Sequence, residues 1–388
     1  MDALFNILFW GCFGILIYIY AGYILALLLL VRIRPVRHEV DESHAPMVSI
    51  LFSARNESDS LPQKMASIRQ LNYPKDKLQV LVASDASTDG TNQYLAAQKD
   101  IHYIEMQEHG GKNAALNMLM PQAQGEILFF TDANTIFHPD CIKNSARHFS
   151  DPKTGAVVGE LIFTQGDDWN AVGNGAGLYW KYENIIKRCE SQLGSLLVGG
   201  GALLAARRDL VNKLDPRIAN DLEIPTRSGA QGFNVLYEPN CLGYEKAHTS
   251  IFDEIGRTSR IVSRGLRGFV VLLPVLLAAP MRFWQFISHK FLRWFTLAYA
   301  IGALVGAWGL RSQTFPAVIF YLGIIILLSS IAGLVVLPLA PSSRKLRPFT
   351  LLAHMLIMHI AALWGICKTI FGHTPATWTI PESTRKNS

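Results

Sequence analysis

The sequence predicts an α/β domain that lies between membrane-spanning helices, and two observations lead to this prediction. Short apolar runs typical of buried strands alternate with helical patterns from about residue 46 to residue 250. That alternation is typical of a mostly parallel sheet covered by helices. The remaining apolar residues are concentrated at the two ends of the chain and raise the mean hydropathy to +0.21, which is high for a soluble protein.

The apolar ends have the length of bilayer spans. Residues 5–31 carry no charge and exceed the roughly 20 residues that cross a bilayer. This run is too long for a signal peptide, and no basic residue precedes it. Three further spans are predicted at 291–310, 317–339 and 349–371. The predicted regions are an N-terminal transmembrane helix (1–34), a globular domain (46–250), interfacial amphipathic helices (251–290), C-terminal transmembrane helices (291–372) and a tail (373–388).

The placement of basic residues predicts the orientation of the chain. They directly follow the first span and separate the last two: Arg32, Arg34, Arg37, Arg344, Lys345 and Arg347. Such residues mark the cytoplasmic side, so the globular domain is predicted to be cytoplasmic, and the net charge of +6 indicates a membrane partner and no nucleic acid. Three C-terminal spans would leave the tail outside, whereas Arg385 and Lys386 favour the inside. The five cysteines lack metal-ligand or disulfide spacing, which fits a reducing compartment.

The globular domain is organised around one buried strand and the polar residues that follow it. Residues 127–130 are an unbroken apolar run, and Asp132 and Asn134 come directly after it. A strand that ends in oxygen-bearing side chains offers ligands at the carboxyl edge of an open sheet. Mg²⁺ or Mn²⁺ prefers such oxygens and can share them with substrate phosphates. A simple turn is the alternative, because Asp and Asn both favour turns.

Two other predicted strands end in the same way. The strand at 47–54 runs into the polar cluster Arg55-Asn56-Glu57, and a capping box at Ser60 is predicted to start the next helix. The strand at 78–83 is followed by short polar side chains that could hold a base or ribose, or cap a helix. We expect Asp89 to be a cap and Asp85 to be the ligand.

Glycines mark two further candidate sites. Gly110-Gly111-Lys112 opens a helix that carries Asn117, and such a helix start can bind an anion. Gly199-Gly200-Gly201 allows close approach of backbone to a ligand, or is a flexible turn. Asp221 begins a later helix, where capping is its simplest role.

The region after the domain is predicted to lie at the membrane surface. Arg257, Arg260, Arg264 and Arg267 recur at helical spacing on one face. They form a headgroup-facing stripe or bind a diphosphate. Residues 268–280 are too short for a span and are predicted to be interfacial, and Ser288-His289-Lys290 is predicted to anchor the entry into the membrane.

These motifs, in this order, resemble the membrane-bound family-2 glycosyltransferases, which include hyaluronan, cellulose and poly-N-acetylglucosamine synthases and bacterial exopolysaccharide transferases. The segments that carry the resemblance are Ala54-Arg55-Asn56-Glu57, the polar run 84–90, Gly111-Lys112 with Asn117, Asp132-Ala133-Asn134 and Asn220-Asp221. The resemblance implies an A-type nucleotide-sugar transferase domain, which is a Rossmann-like α/β sheet.

The resemblance also implies roles for single residues. Asp85 looks like the uracil contact, Asp132 like the first aspartate of the metal motif, and Asp221 like the general base; Glu223 and Asp253 are weaker candidates for the base. The UDP-sugar donor would be bound by Ala54, Arg55, Asn56, Glu57, Asp85, Lys112, Asn117, Asp132, Arg257 and Arg260. The metal, Mg²⁺ or Mn²⁺, would be held by Asp132, Asn134 and His248, although His248 also fits an exposed loop residue.

Two departures from the family pattern shape the functional prediction. Asn134 replaces the second metal-binding aspartate, which predicts weaker metal binding. Arg260 is followed by Ile261, where processive synthases carry a tryptophan. We therefore expect an inverting enzyme that adds one sugar to a lipid-linked glycan acceptor at the bacterial inner membrane, with polysaccharide-assembly proteins as possible partners. A processive synthase and a catalytically silent scaffold are the alternatives.

Overall fold

A computed structural model describes residues 2–164, 178–246, 251–339 and 347–372. The predicted tail lies outside these residues, and so do His248, Arg344 and Lys345. The chain divides into two units. The described residues of the helical unit lie within Met1–Ala26, Ser250–Leu266 and Trp284–Thr374. Those of the sheet unit lie within Leu27–Thr249 and Arg267–Phe283.

The sheet unit is built on one eight-stranded sheet with the order β3-β2-β1-β4-β7-β6-β8-β5. The strands are β1 (Val48–Ala54), β2 (Leu78–Asp85), β3 (His102–Met106), β4 (Ile127–Phe130), β5 (Ile136–Phe137), β6 (Thr154–Thr164), β7 (Leu204–Arg207) and β8 (Asn234–Lys246). The first four strands are parallel, as predicted. The strand β7 lies antiparallel between β4 and β6, and β5 lies antiparallel on β8.

The sheet is therefore mixed: β6 and β8 pair in parallel, so the expectation of a mostly parallel sheet fails only for the antiparallel strands β7 and β5. The strand β7 was not predicted, because two of its four residues are alanines, which have little strand preference of their own. Its backbone pairing with two neighbouring strands makes it a strand.

The helices of both units are α1 (Asp2–Ile17), α2 (Tyr23–Ile33), α3 (Leu61–Arg69), α4 (Thr91–Ala96), α5 (Lys112–Leu119), α6 (Cys141–Ala146), α7 (Leu178–Gln192), α8 (Asn220–Ala230), α9 (Ile251–Leu277), α10 (Pro280–Phe286), α11 (Leu292–Trp294), α12 (Thr296–Gly309), α13 (Thr314–Leu339) and α14 (Arg347–Ile370). Two start signals had different outcomes. Ser60 makes no side-chain capping bond, so the predicted capping box is wrong. Asp89 accepts a hydrogen bond from the first backbone N–H of α4, that of Thr91, at 2.9 Å.

Both faces of the sheet are covered by helices, as the unbroken apolar strands require. Because successive side chains of a strand point to opposite faces, Phe129 packs with one buried cluster and Phe130 with the other. The first cluster contains Met65 of α3, and the second contains Leu116 of α5. This double burial fixes the end of β4, from which the metal-motif residues extend.

A cluster of ionisable side chains surrounds Glu238 of β8. Glu238 of β8 accepts hydrogen bonds from His148 Nε2 at 2.7 Å and Arg147 Nη2 at 2.8 Å. Arg147 also pairs with Glu42 in the segment after α2. Burial by itself raises the pKa of Glu238, but the hydrogen bonds from His148, Arg147 and Asn240 outweigh it and hold the pKa at about 2.

Among the described residues, three continuous helical stretches are long and apolar enough to cross a membrane: Asp2–Ile33, Thr314–Val335 and Pro348–Ile370. A fourth span is possible if Pro280–Trp294 and Thr296–Gly309, which meet at a 67° bend, count as one. The predicted span at 291–310 covers only the second part of that pair. The predicted interfacial stretch 268–280 begins inside α9, which also carries the four arginines.

Polar residues face inward in the helical unit. Ser288 and His289 are almost fully buried, and the membrane-entry anchor predicted at these residues stays a prediction. Ser288 Oγ lies 2.7 Å from the hydroxyl of Tyr18, and that hydroxyl accepts a hydrogen bond from Trp284 Nε1 at 2.8 Å. In an apolar surrounding such polar side chains need partners, and these residues supply them to one another.

Candidate functional site

The candidate site lies at the carboxyl edge of β1, β2 and β4. These strands are parallel neighbours in the sheet, so the residues that follow them meet at one edge. This brings Arg55-Asn56-Glu57, Asp85 and Asp132 to the same side of the sheet unit. The prediction that polar residues gather there is confirmed by the topology.

The loops after β1 and β2 hold each other in an unusual conformation. Asn56 and Ala86 have positive φ angles of 52° and 51°, which few residues other than glycine adopt. The Asn56 side-chain oxygen accepts a hydrogen bond from the backbone of Thr88 at 2.7 Å. Arg55 Nη1 donates to the carbonyl of Asp85 at 2.7 Å, and the Glu57 backbone N–H donates to Thr91 Oγ1 at 2.8 Å. Local strain of this kind is typical of functional sites.

Asp85 binds the turn that leads into α5. Its buried carboxylate accepts hydrogen bonds from the backbone N–H groups of Gly110 at 2.7 Å and Gly111 at 2.9 Å. It also contacts His109 Nδ1 at 2.8 Å. Both carboxylate oxygens thus position Lys112, the next residue. A contact between Asp85 and uracil stays a prediction.

Four residues from distant parts of the chain surround one point beyond the end of β4. Lys112 Nζ lies 2.5 Å from Asp132 Oδ1 and 3.2 Å from the carbonyl oxygen of Gly201. A methyl group at Gly201 would lie 3.5 Å from Asp221 Cβ and 3.5 Å from Lys112 Nζ. Gly201 is therefore a position of close approach, and the metal-motif aspartate and the predicted base lie around the same lysine and glycine.

Asp221 does not cap its helix. The residue that precedes α8 as its N-cap is Ala219, without a side-chain capping bond, so the simple capping role of Asp221 is wrong. Asp221 is the second residue of α8 and lies in its first turn. There the helix dipole stabilises a negative charge on the Asp221 carboxylate.

The segment before α8 is held by residues whose structural role the sequence analysis missed. Asn113 Nδ2 donates to the carbonyls of Asp215 and Ile218 at 2.7 and 3.0 Å. Asn117 binds both the N–H and the carbonyl of Leu214. Asn113 and Asn117 are four residues apart on α5, and this helical spacing was the available signal. The role of Asn117 toward the donor stays a prediction.

Glu223, the alternative base, faces the same segment. Its buried carboxylate accepts hydrogen bonds from the Asp215 backbone at 3.0 Å and from Arg227 Nε at 2.9 Å. Burial raises the pKa of Glu223 in spite of these bonds. Both oxygens of Glu223 are therefore used within the protein. Asp253 lies on α9 in the helical unit.

The residues at the end of β4 fit a cation that shares its ligands with substrate. Among the described residues, no three His, Cys, Asp or Glu side chains are grouped so that they could hold an ion. Asp132, with a side chain 39% exposed, and Asn134 supply two protein oxygens. Mg²⁺ commonly binds through one or two carboxylates together with substrate phosphates, so this donor set fits. The predicted diphosphate ligands Arg257 and Arg260 lie on α9 in the helical unit.

Comparison with known proteins identifies similar sequences. The sequence model described as Glycosyl transferase family 2 matches residues 49–214. A poly-beta-1,6-N-acetyl-D-glucosamine synthase of Staphylococcus aureus is 24% identical over 208 residues, which are 50% of this chain and 48% of that protein. The chain thus spans about half the length of this relative. Glycosyltransferase AglE of Haloferax volcanii is 24% identical over 232 residues, or 58% of this chain and 74% of that protein.

One solved structure is similar over almost the entire chain. Mannosyltransferase PcManGT from Pyrobaculum calidifontis, solved in complex with GDP-Man and Mn²⁺, superposes with a TM-score of 0.69 and 21% sequence identity. The match covers 96% of this chain and 99% of that one. At this level of identity the similarity establishes the fold.

Proposed function

We propose, from the match of residues 49–214 to the model described as Glycosyl transferase family 2, that the protein transfers one sugar from a UDP-sugar to a lipid-linked glycan acceptor, with inversion at the anomeric carbon. The observation that carries the proposal is the arrangement of Asp132, Lys112 and Asp221 around Gly201. In this proposal the Asp132 carboxylate serves the donor and the Asp221 carboxylate serves the acceptor. The Lys112 ammonium is the cation beside them.

Asp221 acts as the general base in this proposal. Its carboxylate takes the proton from an acceptor hydroxyl as that oxygen forms a bond to the anomeric carbon. The bond from the anomeric carbon to the diphosphate oxygen breaks at the same time, and its electron pair leaves with UDP. Attack opposite the leaving group inverts the anomeric centre, so an α-linked donor gives a β-linked product.

Lys112 and the end of β4 act on the leaving group. The Lys112 ammonium is in reach of the donor diphosphate and offsets the charge that develops there. Asp132 and Asn134 would hold Mg²⁺ or Mn²⁺, which when bound supplies Lewis-acid stabilisation of the departing diphosphate. The loops after β1 and β2, with Asp85 between them, supply the remaining polar groups for the nucleotide.

Addition of a single sugar is proposed because Ile261 follows Arg260, where processive relatives carry tryptophan. A processive synthase is the second candidate, and the S. aureus relative favours it, since its name is that of a polymer synthase. The acceptor is proposed to be membrane-linked because three helical stretches among the described residues are long and apolar enough to cross a bilayer. The sheet unit is proposed to face the cytoplasm of a bacterial cell, with polysaccharide-assembly proteins as partners.

Purified full-length protein in nanodiscs tests the proposal. It is incubated with Mn²⁺, a lipid-linked oligosaccharide and, in separate reactions, UDP-GlcNAc, UDP-glucose, UDP-galactose or GDP-mannose, and products are analysed by mass spectrometry. We expect one UDP-sugar to give a product longer by one residue. A ladder of longer products would support the processive synthase. Absence of both nucleotide binding and transfer would support a silent scaffold, and transfer only from GDP-mannose would overturn the choice of nucleotide.

The base is tested by Asp221→Asn. Loss of general base catalysis typically costs about 10²–10⁴-fold in rate, so we expect transfer to fall by that factor while UDP-sugar affinity changes only a few-fold. The matched control is Asp209→Asn, because the Asp209 side chain is 93% exposed. Equal losses of affinity and rate in Asp221→Asn would make Asp221 a structural residue.

A further inference from the structure

Lys64 is a fully buried lysine in the core beneath the metal motif. It lies on α3, which packs on the sheet face that also buries Phe52 and Phe137, and its relative exposure is 0%. Its Nζ lies 3.5 Å from the centre of the Phe137 ring and 5.6 Å from that of Phe52. A buried ammonium group is costly unless hydrogen bonds and favourable charges compensate for the lost water.

The two hydrogen bonds of Lys64 enclose the metal motif. Nζ donates to Thr131 Oγ1 at 2.9 Å and to the carbonyl of Thr135 at 2.7 Å. These residues directly precede and follow Asp132-Ala133-Asn134, and both are fully buried. Thr135 Oγ1 in turn donates to Glu245 Oε1 of β8 at 2.5 Å. One ammonium group therefore joins the beginning and the end of the turn that carries Asp132 and Asn134.

Stability of the core alone does not account for a charge in this place. An apolar side chain of similar volume would pack against Phe52, Met65 and Phe137 without the cost of desolvation, and such replacements of buried charges are often neutral or stabilising. Burial lowers the pKa of Lys64 to about 7, while Cys141, Asp132 and Glu245 oppose that shift. What the lysine adds, and methionine could not, is the pair of bonds to the turn.

We infer that Lys64 is a positioning residue that fixes the Asp132–Asn134 turn in the conformation in which its oxygens meet the cation and the donor diphosphate. This inference rests on the proposed function. With Asn134 in place of a second carboxylate, the site has one formal negative charge, so its affinity depends more on the placement of the two oxygens. Replacement of a residue that orients the metal ligands without contacting the metal typically changes metal affinity about 10–100-fold.

The test compares Lys64→Met with Lys75→Met in the full chain. Lys75 is a suitable control because its Nζ donates to backbone carbonyls at the other end of α3, those of Arg69 and Leu71. Binding of Mn²⁺ in the presence of UDP is measured from the electron paramagnetic resonance signal of free Mn²⁺, and the melting temperature is recorded in parallel. We expect Lys64→Met to weaken Mn²⁺ binding about tenfold or more with the melting temperature retained, and Lys75→Met to bind as the wild type does.

A second pair of variants covers the case in which Lys64→Met fails to fold. Thr131→Val removes one acceptor of the Lys64 ammonium, and Thr131→Ser keeps it. We expect weaker Mn²⁺ binding from the valine variant and wild-type binding from the serine variant. Wild-type Mn²⁺ affinity in Lys64→Met, or equal affinities in the Thr131 pair, overturns the inference while the proposed function stands. If the wild type binds neither Mn²⁺ nor UDP, the proposed function fails first, and the inference with it.

Discussion

Replacement of Asp85 by asparagine separates two roles that a carboxylate at the end of β2 could have. The structure gives its oxygens to the turn before α5: Gly110 N–H and Gly111 N–H donate to them, and His109 Nδ1 lies at 2.8 Å. The resemblance to the glycosyltransferase family implies that the same residue contacts uracil. If the first role dominates, Asp85→Asn should loosen the turn and displace Lys112, and any effect on the uracil contact should be secondary.

The size of the effect follows from these contacts. Hydrogen bonds to a charged group contribute about 1.5–3 kcal/mol each, and a buried donor left without an acceptor costs about 1–3 kcal/mol. In Asp85→Asn one oxygen becomes an NH₂ group that faces a donor, and the other contacts lose their charge. We expect the turn to lose about 2–4 kcal/mol of local stability, which corresponds to an increase in the opening equilibrium of roughly 30-fold or more, since 1.4 kcal/mol is a factor of ten.

Hydrogen–deuterium exchange of a peptide that covers residues 107–116 measures this opening, because the Gly110 and Gly111 amides exchange when the turn opens. Asp89→Asn is the control: Asp89 lies in the same loop but accepts its hydrogen bonds from Ser58 and Thr91, so exchange at 107–116 should not change. UDP affinity is measured in parallel. Unchanged exchange in Asp85→Asn together with a tenfold or greater loss of UDP affinity would refute the argument and leave Asp85 as a direct nucleotide ligand.

Three further changes have definite expected outcomes. Gly201→Val should fill the space between the predicted base and Lys112 and reduce transfer at least tenfold, as judged by initial rates, whereas Gly200→Val should be tolerated because nothing lies within 4 Å of that position. Lys112→Met removes the partner of Asp132; since part-exposed ion pairs contribute up to about 1 kcal/mol, Mn²⁺ titrated without nucleotide should bind up to about fivefold more tightly, while UDP-sugar binds more weakly. Unfolding of Glu238→Gln between pH 7 and pH 2 tests the cluster of ionisable side chains: the pKa of Glu238 is depressed in the folded state, so its contribution is complete above about pH 4.5 and is lost as the pH falls toward 2. The variant should thus be less stable than the wild type at neutral pH and equally stable near pH 2.

The sequence alone determined the order of the motifs and their positions on the elements. A buried strand shows itself as an unbroken apolar run, and a bilayer span as a long uncharged one, so both could be identified without neighbours. The ends of β1 and β4 were therefore predicted correctly, and the end of β2 was predicted two residues too early. With them came the edge of the sheet at which Asp85 and Asp132 lie. The motif order was also enough to predict a domain of the family-2 glycosyltransferase type, and the family model matches residues 49–214.

Only the tertiary structure decided which groups meet. Lys64 appeared in the sequence as an ordinary helical lysine, and its bond to Thr131 crosses 67 residues of chain. Lys112 reaches Gly201 across 89 residues, and β7 is a strand because β4 and β6 lie on either side of it. Local patterns carry the apolar periodicity and the turn chemistry of a few neighbouring residues. The partners of a buried charge, or of a short strand without strong preference, depend on how distant segments pack, and no local pattern contains that information.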